Sequence, residues 1–123
     1  MTARLRWFIV SLLFFVPVHV DAQGVVIIEI ENVQLVRSLA AVVHDPAGFP
    51  MAGVLVEELS SDWKTTLRST MTDPMGAFAF VPVKGRDVYY FQLTLKEFNP
   101  LRVRVKVDRK HGKELQLQME LST

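Results

Sequence analysis

From residue 25 onward, apolar and polar positions alternate in short runs broken by turn residues. The alternation is strictest near the C-terminus. Leu101, Val103, Val105 and Val107 alternate with Arg102, Arg104 and Lys106. Leu115, Leu117, Met119 and Leu121 alternate with Glu114, Gln116, Gln118 and Glu120. Successive side chains of a strand point to opposite faces, so each run predicts a strand with one buried and one wet face. His111-Gly112 between them predicts an antiparallel hairpin, with Val107 opposite Leu115 and Arg102 opposite Glu120.

Earlier segments read as strands too. Residues 25–30 form a β-branched run, continued by 32–36, and further strands are expected at 39–44, 54–59, 64–72, 77–83 and 88–95. Phe78 and Phe80 share one face, the expected core side. Glu57 and Glu58 sit side by side in an otherwise apolar strand, which predicts a bulge or a strand end. No stretch carries a long helical period. The fold expected is therefore all-β: an antiparallel sandwich of seven or eight strands.

The N-terminus follows another pattern. Arg4 and Arg6 precede an apolar run over residues 7–18, interrupted by Ser11 and Pro17. A spanning helix needs about 20 apolar residues, and this run is shorter. Val20 and Ala22 are small residues two positions apart, the spacing that signal peptidase reads. The division expected is a signal peptide over 1–22 and one domain over 23–123, secreted or periplasmic, with no membrane span after processing. The alternative is an uncleaved anchor, against which Pro17, His19 and Asp21 end the run early.

The chain has 14 basic and 13 acidic residues. Loss of Arg4, Arg6 and Asp21 with the signal leaves 12 of each, so the domain is neutral. Neutrality gives no reason to expect nucleic acid as a partner. There is no cysteine, which excludes disulfides, thiolate metal sites and a lipidated cysteine. The remaining 101 residues suffice for one packed core.

Two turns share one spelling, Asp45-Pro46-Ala47-Gly48 and Asp73-Pro74-Met75-Gly76. Each glycine stands where a tight turn calls for positive φ, and each aspartate can bind backbone N–H groups ahead of it. The stretch with Asp45, Gly48, Pro50, Gly53 and Val56 resembles the opening of carboxypeptidase regulatory-like domains. Thr72-Asp73-Pro74-Met75-Gly76-Ala77-Phe78-Ala79-Phe80 is similar to the second signature of that family. The resemblance runs over residues 37–121. It departs from the pattern at Arg86-Asp87-Val88 and Phe98-Asn99-Pro100, and by an added N-terminal strand. It implies a transthyretin-like (prealbumin-like) sandwich without catalytic residues, an accessory type common in exported and surface proteins.

No catalytic or metal-binding constellation is spelled out, so no enzyme, cofactor or metal is expected. His44 and His111 have no second histidine at ligand spacing. Tyr89 and Tyr90 are adjacent and point to opposite faces of a strand. The Tyr-Arg-Gly-Ser ending of transthyretin-like hydrolases is absent from Gln118-Met119-Glu120-Leu121-Ser122-Thr123. Nothing in the spacing of Lys64, Lys96, Asn32 and Asn99 requires an isopeptide crosslink with Glu57 or Glu58.

The candidate binding residues are Trp63, in a polar loop, and the basic strip Arg102, Arg104 and Lys106. Trp63 could anchor a partner or fold back to cap an end of the sandwich. The strip could bind or be a solvated face paired to Glu114 and Glu120. The function expected is a non-enzymatic module contacting a protein or polysaccharide of the cell envelope, with carbohydrate binding or protein binding both open. The alternatives are a homo-oligomer joined through residues 25–30 and an accessory domain of a hydrolase. Intact mass of the exported protein is expected to place its N-terminus at Gln23; a mature form beginning at Met1 overturns the cleavage.

Overall fold

The computed structural model describes residues 17–20 and 24–122. The expected cut after Ala22 lies outside them, as does the apolar run up to residue 16. Among the described residues the fold is all-β, with nine strands and no helix. These are β1 (Val18–Val20), β2 (Val26–Glu29), β3 (Gln34–His44), β4 (Leu55–Leu59), β5 (Thr66–Met71), β6 (Ala77–Ala79), β7 (Val88–Thr94), β8 (Leu101–Val107) and β9 (Lys113–Gln118).

The strands form a curled mixed sheet whose main path runs β1-β2-β8-β7-β4-β5. The expected all-antiparallel pairing does not hold. β2 and the start of β3 both run parallel to β8, through Ile28 beside Leu101 and Val36 beside Val107. β3 then leaves β8, pairing antiparallel with β6 and parallel with β9. Residues 32–36, expected to continue the 25–30 strand, are instead separated from it and run on into 39–44 as one strand, with an irregularity between Val36 and Ala41 where it passes from one half to the other.

The expected β8–β9 hairpin is also replaced. β8 and β9 follow one another along β3 in the same direction: Val36 is paired with both Val107 and Lys113. The loop between them is a jog, not a reversal. Gly112 donates its N–H to the Asp108 carbonyl at 2.7 Å. A Cβ at Gly112 would lie 2.3 Å from the Val36 carbonyl carbon, so only glycine fits this crossing. Arg102 consequently never meets Glu120; its strand neighbours are Gln92 on β7 and Glu29 on β2.

The alternation itself does assign faces. Leu101, Val103 and Val105 are buried while Arg102 and Arg104 stay half-buried and Lys106 is exposed. On β9, Leu117 is buried; beyond it Met119 is buried too, whereas Leu121 is 58% exposed. Phe78 and Phe80 reach the core as expected, with Phe80 stacked on Phe91 at 5.1 Å and 11°. Such ring pairs add about 0.5–1.5 kcal/mol beyond their burial.

The two Asp-Pro turns have one geometry. Asp45 Oδ1 accepts the N–H groups of Ala47 and Phe49, and Asp73 Oδ1 those of Met75 and Ala77, all at 2.9 Å. Gly48 and Gly76 have φ of 92° and 79°. Their surroundings differ. A Cβ at Gly48 meets nothing, whereas one at Gly76 would lie 2.5 Å from the Val43 carbonyl oxygen and 3.2 Å from the Pro50 side chain. The second turn is thereby pressed onto β3 and the first turn, and Val43 N–H donates to the Gly76 carbonyl at 2.8 Å. Denaturant melts are expected to show Gly48→Ala costing about 1 kcal/mol and Gly76→Ala about 3 kcal/mol. Equal costs would mean that the close contact at Gly76 is not felt.

Candidate functional site

The hairpin joining β4 to β5 carries Trp63 on a tight loop over residues 60–65. Ser60 N–H donates to the Thr65 carbonyl and Trp63 N–H to the Ser60 carbonyl, both at 2.8 Å. Asp62 Oδ1 accepts the Ser60 hydroxyl at 2.6 Å and Lys64 N–H at 3.0 Å. These bonds, the hydroxyl first, hold the Asp62 carboxyl below its ordinary range. The loop turns by placing Trp63 at φ 65°, a left-handed conformation that a bulky residue adopts at a cost of about 1–2 kcal/mol.

That strain directs the indole onto the outer face of the sheet. The register aligns Glu57, Gln92 and Arg102 in one row and Leu59, Tyr90 and Arg104 in the next. The Tyr90 ring meets Trp63 edge-on, with centroids 5.2 Å apart. The Arg102 guanidinium lies over the indole, its Cζ 4.7 Å from the ring centroid, while Nε donates to Gln92 Oε1 at 2.7 Å. A cation on a tryptophan face is worth about 0.5–1 kcal/mol when solvent-accessible. Arg104 Nη2 donates to the Glu31 carbonyl. Lys106 makes only a loose pair with Asp87 at 3.7 Å, both exposed, which contributes little.

Three of the expected binding residues, Trp63, Arg102 and Arg104, therefore share one sheet face, and Lys106 stands further along it. Trp63 folds back, half-buried, onto Tyr90 and Arg102. The strip's contacts are with Gln92, Glu31 and Asp87, not with Glu114 and Glu120. Tyr90 and Gln92 complete the face and were not among the expected binding residues; their signal is parity, since they alternate with buried Tyr89, Phe91 and Leu93.

A second cluster lies on the inner side of β4. Val54, Val56 and Glu58 have the same parity, and all three are buried, Glu58 being 1% exposed. The adjacent carboxylates thus point to opposite faces: Glu57 outward, where it accepts the Thr66 hydroxyl at 3.1 Å, and Glu58 inward. The expected bulge at this pair is not what separates them: Glu57 and Glu58 pair in regular register with Ser69 and Arg68, and the slip beyond Glu58 leaves its extra residue, Leu67, on β5. Glu58 Oε1 accepts Arg68 Nε–H at 2.6 Å and Oε2 accepts Arg86 Nη1–H at 2.7 Å. Arg68 covers the Phe80 ring at 4.8 Å, and Arg86 lies 5.9 Å from the Tyr89 centroid.

This clamp ties β4, β5 and the 84–87 turn together. Tyr89 helps by accepting Val83 N–H on its hydroxyl at 2.9 Å. Both Glu58 oxygens are taken by guanidinium groups, which makes the carboxylate a tie rather than a proton donor aimed at a ligand.

Other candidates remain apart. His44 Nδ1 lies 3.4 Å from the Asp45 carbonyl, and His111 Nδ1 lies 3.4 Å from Asp108 Oδ2. Among the described residues no three His, Asp or Glu side chains gather as metal ligands. An open groove of about 550 Å³ crosses the small side chains Ala40, Ala77 and Ala79 toward Met71 and Gln116, and shares no lining residue with the Trp63 face. No helix of the described residues is long and apolar enough to cross a membrane.

Compared with protein-family models and with curated proteins, the chain matches none. The functional reading therefore rests on the geometry above.

Removing one member of a buried ion pair strands the other charges. Arg68 and Arg86 are 28% and 32% exposed and can turn partly to water, which softens the loss. Glu58→Gln is expected to lower the unfolding free energy by about 2–3 kcal/mol, read as a lower denaturant midpoint at constant slope. An unchanged midpoint would rule out the clamp as a stabilising element.

Proposed function

We propose that the chain is an exported, non-enzymatic binding module. On this reading it is a domain of the carboxypeptidase regulatory-like, transthyretin-like type, and its outer face contacts a protein or polysaccharide of the cell envelope. The observation that carries the reading is Trp63. A bulky residue is held in a left-handed backbone conformation so that its ring lies on Tyr90 and Arg102, on an open sheet face. Strained backbone conformations cluster at functional sites. An indole flanked by a phenol, a guanidinium and a carboxamide offers a stacking surface with hydrogen-bonding groups around it, chemistry suited to a sugar ring or a peptide.

The paired Asp-Pro turns at Asp45, Gly48 and Pro50, and at Asp73 and Gly76, support the family assignment. Their shared backbone pattern gives the two similar spellings one structural role. Pull-down from cell-envelope extracts and screening against envelope polysaccharides test the binding. Trp63→Ala is expected to weaken capture at least tenfold, equivalent to about 1.4 kcal/mol, while the melting temperature stays within a few degrees. Lost stability with undiminished binding would instead make Trp63 a packing residue.

A further inference from the structure

β2 has two flanks. Toward β8, Ile28 N–H donates to the Pro100 carbonyl and Ile30 N–H to the Arg102 carbonyl, both at 2.9 Å. On the other flank lies β1, antiparallel, with Val18 beside Ile28 and Val20 beside Val26. There Glu29 N–H donates to the Pro17 carbonyl at 3.1 Å. Val18 and Val20 are 59% and 64% exposed, so β1 supplies backbone hydrogen bonds and little apolar burial. The strand that completes this edge lies entirely before Ala22, the residue at which the export segment is expected to be cut.

We infer that processing after Ala22 opens this flank, and that β2 of a second copy fills it, antiparallel, in the place of β1. The inference rests on the export reading above. A chain beginning at Gln23 has only three residues ahead of Val26, too few to double back over the edge. The C-terminal end is engaged elsewhere: Leu121 bridges to Phe98, and Ser122 N–H donates to the Glu97 carbonyl at 2.9 Å. The open flank would present Val25-Val26-Ile27-Ile28, with no proline, lysine or bulge of the kind that protects natural edges. An apolar β-branched strand with a free edge pairs well with itself, and antiparallel pairing of two identical edges closes a two-fold dimer.

Light scattering on the chain purified after export, with intact mass measured on the same sample, tests this. A form starting at Gln23 is expected at twice the chain mass. A chain exported behind a foreign leader cut before Pro17, which keeps β1, is expected at the single mass. Glu29→Pro removes the N–H that faces away from β8 and is expected to return the processed form to a monomer. A monomer starting at Gln23 overturns the inference and leaves the export reading standing. A dimer that persists when β1 is kept, or in a folded Glu29→Pro variant, places the interface elsewhere and also overturns it. An exported chain still beginning at Met1 removes the cleavage, and the inference with it.

Discussion

β3 has to serve both halves of the curled sheet, and the rest of the architecture follows from that. Its first residues give their hydrogen bonds to β8, and its later ones to β6 and β9. A strand can pass between two packed layers only by breaking its register, and here the break falls between Val36 and Ala41. Because β8 runs out at Val36 and β9 begins there, the link between them must cross close to the β3 backbone. Gly112 makes that crossing sterically permissible. The same strand holds the turn at Gly76 through Val43, so both Asp-Pro turns are fixed relative to the core.

Away from that seam, β5 has β4 as its paired neighbour. Near it the interior is closed by charge and aromatic rings together. Glu58 would be costly to bury alone, and two arginines would be poorly placed over phenylalanine and tyrosine rings without it. Together they bring the 84–87 turn against β4 and β5. On the outer side, across from Glu57, Tyr90 of β7 and Arg102 of β8 hold Trp63. One strand thus carries a structural clamp inside and the candidate binding face outside, separated by the thickness of the sheet.

Much of this was legible before any coordinates. The period-two runs told the inner faces of β8 and β9, and the Asp-Pro-x-Gly spellings told where two turns close and why each needs glycine. Trp63, Arg102 and Arg104 were recognisable as surface candidates by residue type. Their convergence was not, because it depends on which strand lies beside which. Glu58 was hidden for another reason: a glutamate in a strand reads as a break in the apolar pattern. Its parity with Val54 and Val56 was the available sign that it points inward, and the arginines that make this tolerable lie 10 and 28 residues away.

The amino-acid sequence by itself determined the all-β character, the faces of the strands and the chemistry of the turns. Each of these is set by a residue and its near neighbours, through side-chain alternation, positive φ and local hydrogen bonding. Tertiary structure alone decided the partners: that β8 and β9 follow each other along β3 instead of forming a hairpin, that Arg102 lies under Trp63 and not beside Glu120, and that Glu58 is shared by two arginines. Alternation states that a strand has an inner face but carries no information about its neighbours. Those were chosen by how the strands could bury one common core.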